Sequence, residues 1–416
     1  MLSILPMLVI SPGATIKHLF LFTSTLSVLF VFSAHGYGQD ALHYFRKAQE
    51  LQKAGSYAQA LQLYSQGLAL EPQHSLADKI YNNRGLIYYH QGTYEKALED
   101  FTRAIEINPA DGELYYNRGN LYRSLRMVDR AVSDYTKCIE LDERNGAAYN
   151  NRGSLYFELG ELDRAAADYT KAIFLSPGNP EYHCNRGNAY RIMGRLDKAI
   201  PDFTKAVELN PHAALPYYYR ALVHYENGNY KKAKTDMDDA IRIEHADPEL
   251  LCFRGDVFKA QGYFDWAAAD YTKAIAVSPR YAAAFQQRGM LYVEKGNIAE
   301  AIIDFKKAIA INPRFALAYY NRGEAYFEQQ RYDAALKDFT QVVSLNPSYC
   351  QAYMKRAEIY FINGDYDRVI DDCTRSLDLN EDYRDAYSLR AKAYRAKGDL
   401  DKAERDQKNS KALGKN

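Results

Sequence analysis

Residues 115–122 read YYNRGNLY. Tyr115, Arg118 and Tyr122 stand three and four apart, a spacing that puts them on one face of a helix, and the two tyrosines mark that face as packed. An arginine on a packed face needs an acid within reach, because an unpaired buried charge is costly. The string returns as YNNRGLIY at 81–88, YNNRGSLY at 149–156 and YYNRGEAY at 319–326, so the question belongs to the whole chain.

From residue 78 onward one pattern recurs every 34 residues. Its register mark is an arginine followed by Gly or Ala, from Arg84-Gly85 through Arg118-Gly119 and Arg152-Gly153 to Arg390-Ala391. Ten regular units result, nine over 78–383 and a last one over 384–416 that carries a capping helix. A divergent first unit occupies 41–74, with Ser75, Leu76 and Ala77 inserted after it. When that Gly or Ala is numbered position 8, aromatics fall at 4 and 11, the stripe of a first helix. Glycine is frequent at 15, where it can end a helix in the left-handed conformation. Ala97, Phe101 and Ala104 at 20, 24 and 27 form the stripe of a second helix, and proline at 32 (Pro109, Pro177, Pro211) closes it. The chain is therefore expected to be all-α, built of antiparallel helix pairs.

At these residues the chain resembles the tetratricopeptide repeat family, whose motif has small residues at 8, 20 and 27, aromatics at 4, 11 and 24, and proline at 32. The resemblance implies a right-handed α-solenoid of about eleven stacked helix-turn-helix repeats, with the first helices lining a concave groove. It extends from Ala41 to about Leu413. Departures are Glu143, His245 and Glu381 in place of proline, Arg126 and Gln330 in place of the glycine at 15, and arginine at 7. In the last unit Gln407 and Ser410 replace the aromatic and alanine of 24 and 27, as suits a solvent-facing closing helix.

Arginine holds position 7 and aspartate position 23 in all ten regular units, among them Arg84 and Asp100, Arg118 and Asp134, Arg152 and Asp168. Both positions lie on packed sides, so the two rows are expected to form ion pairs with a bidentate guanidinium. Pairing within a unit or across a junction both fit the spacing. The first unit favours the former: it has Lys47 at 7 and Leu63 at 23, so junction pairing would leave Arg84 facing a leucine. These arginines are read as structural, since a ligand-binding row would not need an aspartate in every unit.

Equal numbers of basic and acidic residues, 53 each, give no basic excess and argue against nucleic-acid binding. The sequence holds no HExxH, CxxC, GxSxG or GxxxxGK, and the repeats leave no room for a catalytic domain, so no enzyme activity, metal or cofactor is expected. His183-Cys184 is a weak signal, because neighbours on a helix point in different directions. Most of the five cysteines are read as buried fillers. Residues 1–36 contain no acid, a single Lys17 and an uncharged run of 16 from Leu19 to Ala34, short of the ~20 that span a bilayer. This reads as an export signal cleaved near Gly36 or Gly38, with an uncleaved anchor as the alternative and the only expected membrane contact. The mature chain is expected in the periplasm, the envelope or outside the cell.

Binding is expected on positions 2, 5, 6, 9, 12 and 13 of the first helices. Asparagine recurs at position 6 (Asn83, Asn117, Asn151, Asn185), and its amide offers donor and acceptor to a peptide main chain. Asn120 with Arg123 and Asn188 with Arg191 extend the pattern, and Tyr116 and Tyr218 add aromatic surface. Farther on, Glu294, Glu324, Glu328 and Glu358 lie near Phe327 and Phe361, so the face changes sign. The family's chaperone-tail clamps carry lysine at position 5, which here holds Asn82, Tyr116, Asn150, Cys184 and Tyr218. The expected function is a non-catalytic scaffold for a protein or peptide segment. A polysaccharide-binding solenoid and a regulatory subunit with a separate catalytic chain are the alternatives, and self-association is left open.

Overall fold

The computed structural model describes residues 37–70 and 75–414, and the elements in them are all α-helices. The leader expected at 1–36 lies outside the described residues. The chain divides into two compact units, residues 1–121 and 122–416. The first holds α1 (Tyr37–Lys53), α2 (Tyr57–Leu70), α3 (Ala77–His90), α4 (Tyr94–Ile107) and most of α5 (Gly112–Ser124). The second begins inside α5 and continues with α6 (Val128–Leu141), α7 (Gly146–Glu158), α8 (Leu162–Leu175), α9 (Pro180–Ile192), α10 (Leu196–Leu209), α11 (Ala214–Glu226) and α12 (Tyr230–Ile243). It is completed by α13 (Pro248–Ala260), α14 (Phe264–Val277), α15 (Ala282–Glu294), α16 (Ile298–Ile311), α17 (Ala316–Glu328), α18 (Tyr332–Leu345), α19 (Cys350–Ile362), α20 (Tyr366–Leu379), α21 (Arg384–Ala396) and α22 (Leu400–Leu413). Among the described residues no helix is long and apolar enough to cross a membrane.

Each repeat is a helix pair closed by a turn of three residues. At position 15 the backbone is left-handed, with φ +73° at Gly92, whose N–H bonds Tyr89 O while Thr93 N–H bonds Tyr88 O. Arg126 and Gln330 hold the same geometry at φ 57° and 59°, so the turn persists where a side chain makes it unfavourable. Proline at 32 is equally dispensable. The second helix stops two residues earlier whether the position holds Pro109, as after α4, or Glu143, as after α6.

Between the paired helices, positions 20, 24 and 27 are sealed: Ala97, Phe101 and Ala104 have no exposed surface. A fully buried aromatic of this kind contributes about 2–3 kcal/mol. It fits because position 8 has no side chain. A Cβ placed at Gly85 would lie 2.8 Å from Phe101 Cε1, and one at Gly255 would lie 2.5 Å from Tyr271 Cε1. In the second unit first helices also touch the next first helix, α7 on α9 and α13 on α15, which sets the face described below. In α22, Ser410 is buried rather than solvent-facing, because position 27 packs on α21 here as elsewhere; Glu404, Arg405 and Lys408 form the open side.

Candidate functional site

The arginine row resolves first. Arg84 donates from Nε to Asp100 Oδ2 at 2.7 Å and from Nη2 to Asp100 Oδ1 at 2.6 Å. The same fork joins Arg152 to Asp168, Arg186 to Asp202, Arg220 to Asp236, Arg254 to Asp270, Arg288 to Asp304, Arg322 to Asp338, Arg356 to Asp372 and Arg390 to Asp406. In these nine pairs the position-23 aspartate belongs to the same repeat as its arginine, as the first unit implied. Arg118 belongs to the first compact unit and Asp134 to the second; Arg118 stacks over Tyr115, 5.7 Å from the ring centre. The Asp100 hydrogen bonds push the Arg84 guanidinium above its ordinary pKa, so this charge is fixed.

One contact escaped the sequence. The remaining nitrogen, Nη1, reaches back to position 25 of the preceding repeat: Arg84 to Ser65 Oγ at 3.1 Å, Arg152 to Thr136 Oγ1 at 3.1 Å, Arg254 to Asp238 Oδ1 at 2.8 Å. Each of these arginines therefore binds its own hairpin through a carboxylate and its neighbour through an oxygen. The hydroxyls and single carboxylate of the position-25 column were the readable signal.

The expected binding face is less open than its spacing implied. Position 5 was expected to line it, yet Asn82, Asn150, Cys184, Cys252, Gln286 and Met354 are buried there, because the next first helix closes over them. In the first unit Asn117 is also buried, its Nδ2 donating to Asn82 Oδ1 at 2.9 Å, while Asn83, Tyr116 and Asn120 are half-buried. In the second unit Asn185 Nδ2 donates to Asn150 Oδ1 at 2.9 Å, and Asn150 Nδ2 lies 3.5 Å from Asn151 Oδ1. The asparagine row thus bonds partly to itself. Arg123 is half-buried. Arg191 donates from Nε and Nη2 to Asn188 Oδ1 and from Nη1 to Glu226 Oε1 at 3.2 Å, lying over the Tyr219 ring. Tyr218 Oη donates to Glu249 Oε1 at 3.0 Å.

Toward the C-terminus the face becomes acidic, and it is laced in the same way. Lys259 pairs with Glu294, and Lys355 pairs with both Glu324 and Glu358 while lying over the Phe327 ring. Asp256 accepts from Tyr271 Oη at 2.7 Å and from Gln287 Nε2 at 3.4 Å, and burial pushes its carboxyl up to about 6. His183 fills the aromatic position 4, with Nε2 3.1 Å from Pro177 O. All five cysteines are free; burial pushes the Cys184 and Cys373 thiols up to about 12, which suppresses thiolate chemistry. Among the described residues no group of three His, Cys, Asp or Glu side chains is placed to hold a metal ion.

Tetratricopeptide repeat models match residues 78–111, 112–145, 180–213 and 316–349, with two further such models at 134–167 and 351–383 and a TPR repeat model at 153–191 and 289–330. Together they cover more than half of the chain. The chain belongs to the tetratricopeptide repeat family. Among curated proteins it is similar to the Photosystem I assembly protein Ycf3 of Acaryochloris marina, 39% identical over 71 residues, which are 17% of this chain and 43% of that protein. The match to Ycf3 of Rippkaea orientalis is 33% identical over 82 residues, 20% of this chain and 47% of that protein. The chain thus spans under half the length of the curated relatives it matches. Among solved structures, MamA is 27% identical with a TM-score of 0.37, covering 39% of this chain and 94% of that one. YrrB, described as a TPR protein with an unusual peptide-binding site, is 26% identical with a TM-score of 0.35, covering 45% and 96%. The tetratricopeptide repeat architecture supports a protein-interaction function with protein or peptide partners, and scaffolds of this class are generally non-catalytic.

Proposed function

We propose that this chain is a non-catalytic scaffold that holds an extended segment of a partner protein along the first-helix face of its repeats. One observation carries the reading: on that face in the second unit, side chains are tied from repeat to repeat before any partner arrives. Asn185 to Asn150, Arg191 to Glu226, Tyr218 to Glu249 and Lys259 to Glu294 all cross a junction. Side chains already fixed lose little rotamer entropy on binding, so a polar face of this kind can hold a main chain without being apolar. Relatives named as assembly proteins are in keeping with a role in bringing chains together. The uncharged run at 19–34 supports an exported location, which sequencing the N-terminus of the mature protein would test.

The experiment is capture of a partner from an envelope extract by the wild-type chain and by the variant carrying Asn188→Ala and Arg191→Ala. The double substitution should abolish capture of a recurring protein while the circular-dichroism spectrum keeps its helical form. Equal capture by both chains removes these residues from the binding face, and retention that disappears on glycan digestion replaces the protein partner with a polysaccharide.

A further inference from the structure

Position 19, in the first turn of each second helix, is Lys or Arg in seven of the ten regular repeats. In six of them that cation lies over the ring at position 11 of its own hairpin, as Lys96 does over Tyr88 at 5.4 Å and Arg164 over Tyr156 at 3.9 Å. Repeat 316–349 reaches the same end by another route: position 19 is Ala334, and Arg331 at position 16 covers Tyr326 at 4.5 Å. Only two regular repeats, adjoining in the second unit, have no cation at either position. Repeat 248–281 carries Tyr263 at 16 and Trp266 at 19, and repeat 282–315 carries Asn297 and Glu300.

The exchange turns aromatic surface outward. Trp266 meets Phe258 of position 11 edge-on, with ring centres 5.2 Å apart, and Tyr263 lies against Trp266 at 5.4 Å and 37°. Lys234 of the preceding repeat reaches the inner ring, Phe258, at 6.0 Å, but among the described residues no cation lies over Trp266 or Tyr263. These two rings are 58% and 54% exposed, and Phe264 between them is 38% exposed. Neighbouring aromatics left open to water in this way mark an interaction surface. The charges around them set its sign. Asp265 is paired with Lys295 at 2.8 Å, and Glu300 is exposed and makes no ion pair among the described residues. Lys231 and Lys232 belong to the preceding repeat, so in chain order this edge passes from basic to aromatic to acidic.

We propose that this edge is a second interaction surface, separate from the first-helix face, and that it takes arginine side chains of a partner protein. The partner supplies from outside the cation that sister hairpins carry themselves. One guanidinium stacks on Trp266 beside Tyr263, and another pairs with Glu300 in the next repeat. Tryptophan offers the strongest ring face to a cation. Arginine suits it better than lysine, because a planar guanidinium stacks on the ring as well as attracting it, and the shortest such contact on this edge is made by an arginine, Arg164.

Trp266 is the only tryptophan of the chain, so its fluorescence reports this site alone. The test titrates the full chain with an end-blocked peptide of alternating arginine and glycine, and with the same peptide carrying citrulline, which keeps the shape and removes the charge. The arginine peptide should change the emission saturably and the citrulline peptide should not. Glu300→Lys restores the usual residue of its column and keeps the reporter, while Trp266→Ala removes the ring without a change of charge and is followed by heat. Each should weaken binding by about fivefold or more, the factor that one partly exposed cation–π contact supplies. The paired change Asn188→Ala and Arg191→Ala should leave binding as it is; a loss there assigns the peptide to the first-helix face and overturns the proposal. No saturable binding, equal binding of the citrulline peptide, or undiminished binding by Trp266→Ala at an unchanged melting temperature overturns it too. So does a chain that ignores the peptide but shifts its Trp266 emission to the blue on phosphatidylglycerol vesicles, which makes the occupant an anionic membrane.

Discussion

Repeats 214–247 and 248–281 adjoin in the second unit and fill the same volume in opposite ways. In the latter, Gly255 at position 8 leaves room for Tyr271 at 24; in the former, Ala221 stands opposite Met237. The exchange is general among the regular repeats. Glycine at 8 goes with Phe or Tyr at 24 in seven, whereas Ala221, Ala357 and Ala391 go with Met237, Cys373 and Gln407. Positions 16 residues apart on different helices therefore share one packing allowance, and the ion pair beside them is common to both kinds.

That comparison can be broken in order of severity. Asp304→Ala in a glycine-type repeat and Asp372→Ala in an alanine-type repeat should each lose about 3 kcal/mol in guanidinium unfolding, since each strands a partly buried arginine. A large difference between the two would tie the ion pair to the packing class. Gly255→Ala should lose about 2–3 kcal/mol by driving a methyl into Tyr271, whereas Ala221→Gly should lose only about 0.5–1 kcal/mol. Adding Tyr271→Met to Gly255→Ala should recover most of that loss, and a double-mutant cycle showing strict additivity would refute the shared volume.

Aromatic identity at 24 has a polar consequence that supplies the third test. Tyr271 reaches Asp256 and Tyr169 reaches Ser154, both at position 9. The Asp256 carboxyl is held near 6, above its ordinary 3.8, so the folded state favours the proton. The stability this gives is complete below pH about 4 and is lost as pH rises through 6. Asp256→Asn should therefore leave stability unchanged near pH 4 and raise it by about 3 kcal/mol at pH 7, because each tenfold change in proton affinity between the folded and unfolded chain is worth about 1.4 kcal/mol. A gain independent of pH would contradict the burial of this charge. Smallest of all, Arg126→Gly and Gln330→Gly should each raise the melting midpoint, by about 1 kcal/mol of relief from the left-handed backbone.

The helix pairs, their turns and their ends were legible because a 34-residue period exposes every position ten times over. Internal pairing of Arg84 with Asp100 was legible for a different reason, the joint absence of both partners in the first unit. What escaped lies between repeats. The helical period of a single repeat sets position 5 beside the packed stripe but not how closely the next first helix approaches, so Asn150 and Gln286 turned out buried. The hydroxyls at position 25, the exchange between 8 and 24, and the departures at Trp266 and Glu300 stood in plain columns; their meaning required knowing which columns touch.

The backward reach of arginine Nη1 gives the assembly a grain. Seven arginines grip the preceding hairpin through it, including Arg84, Arg186, Arg220, Arg288 and Arg390. Arg322 meets Lys306 at that position, a donor that cannot accept, and neither Arg322 nor Arg356 makes the bond. Among the described residues, repeat 316–349 is thus the one interior hairpin that lacks this arginine bond on both sides, with the Lys355–Glu324 pair left to hold one of them. Under tension along the chain, or in slow amide exchange, it is the place where the second unit would first come apart into separate blocks.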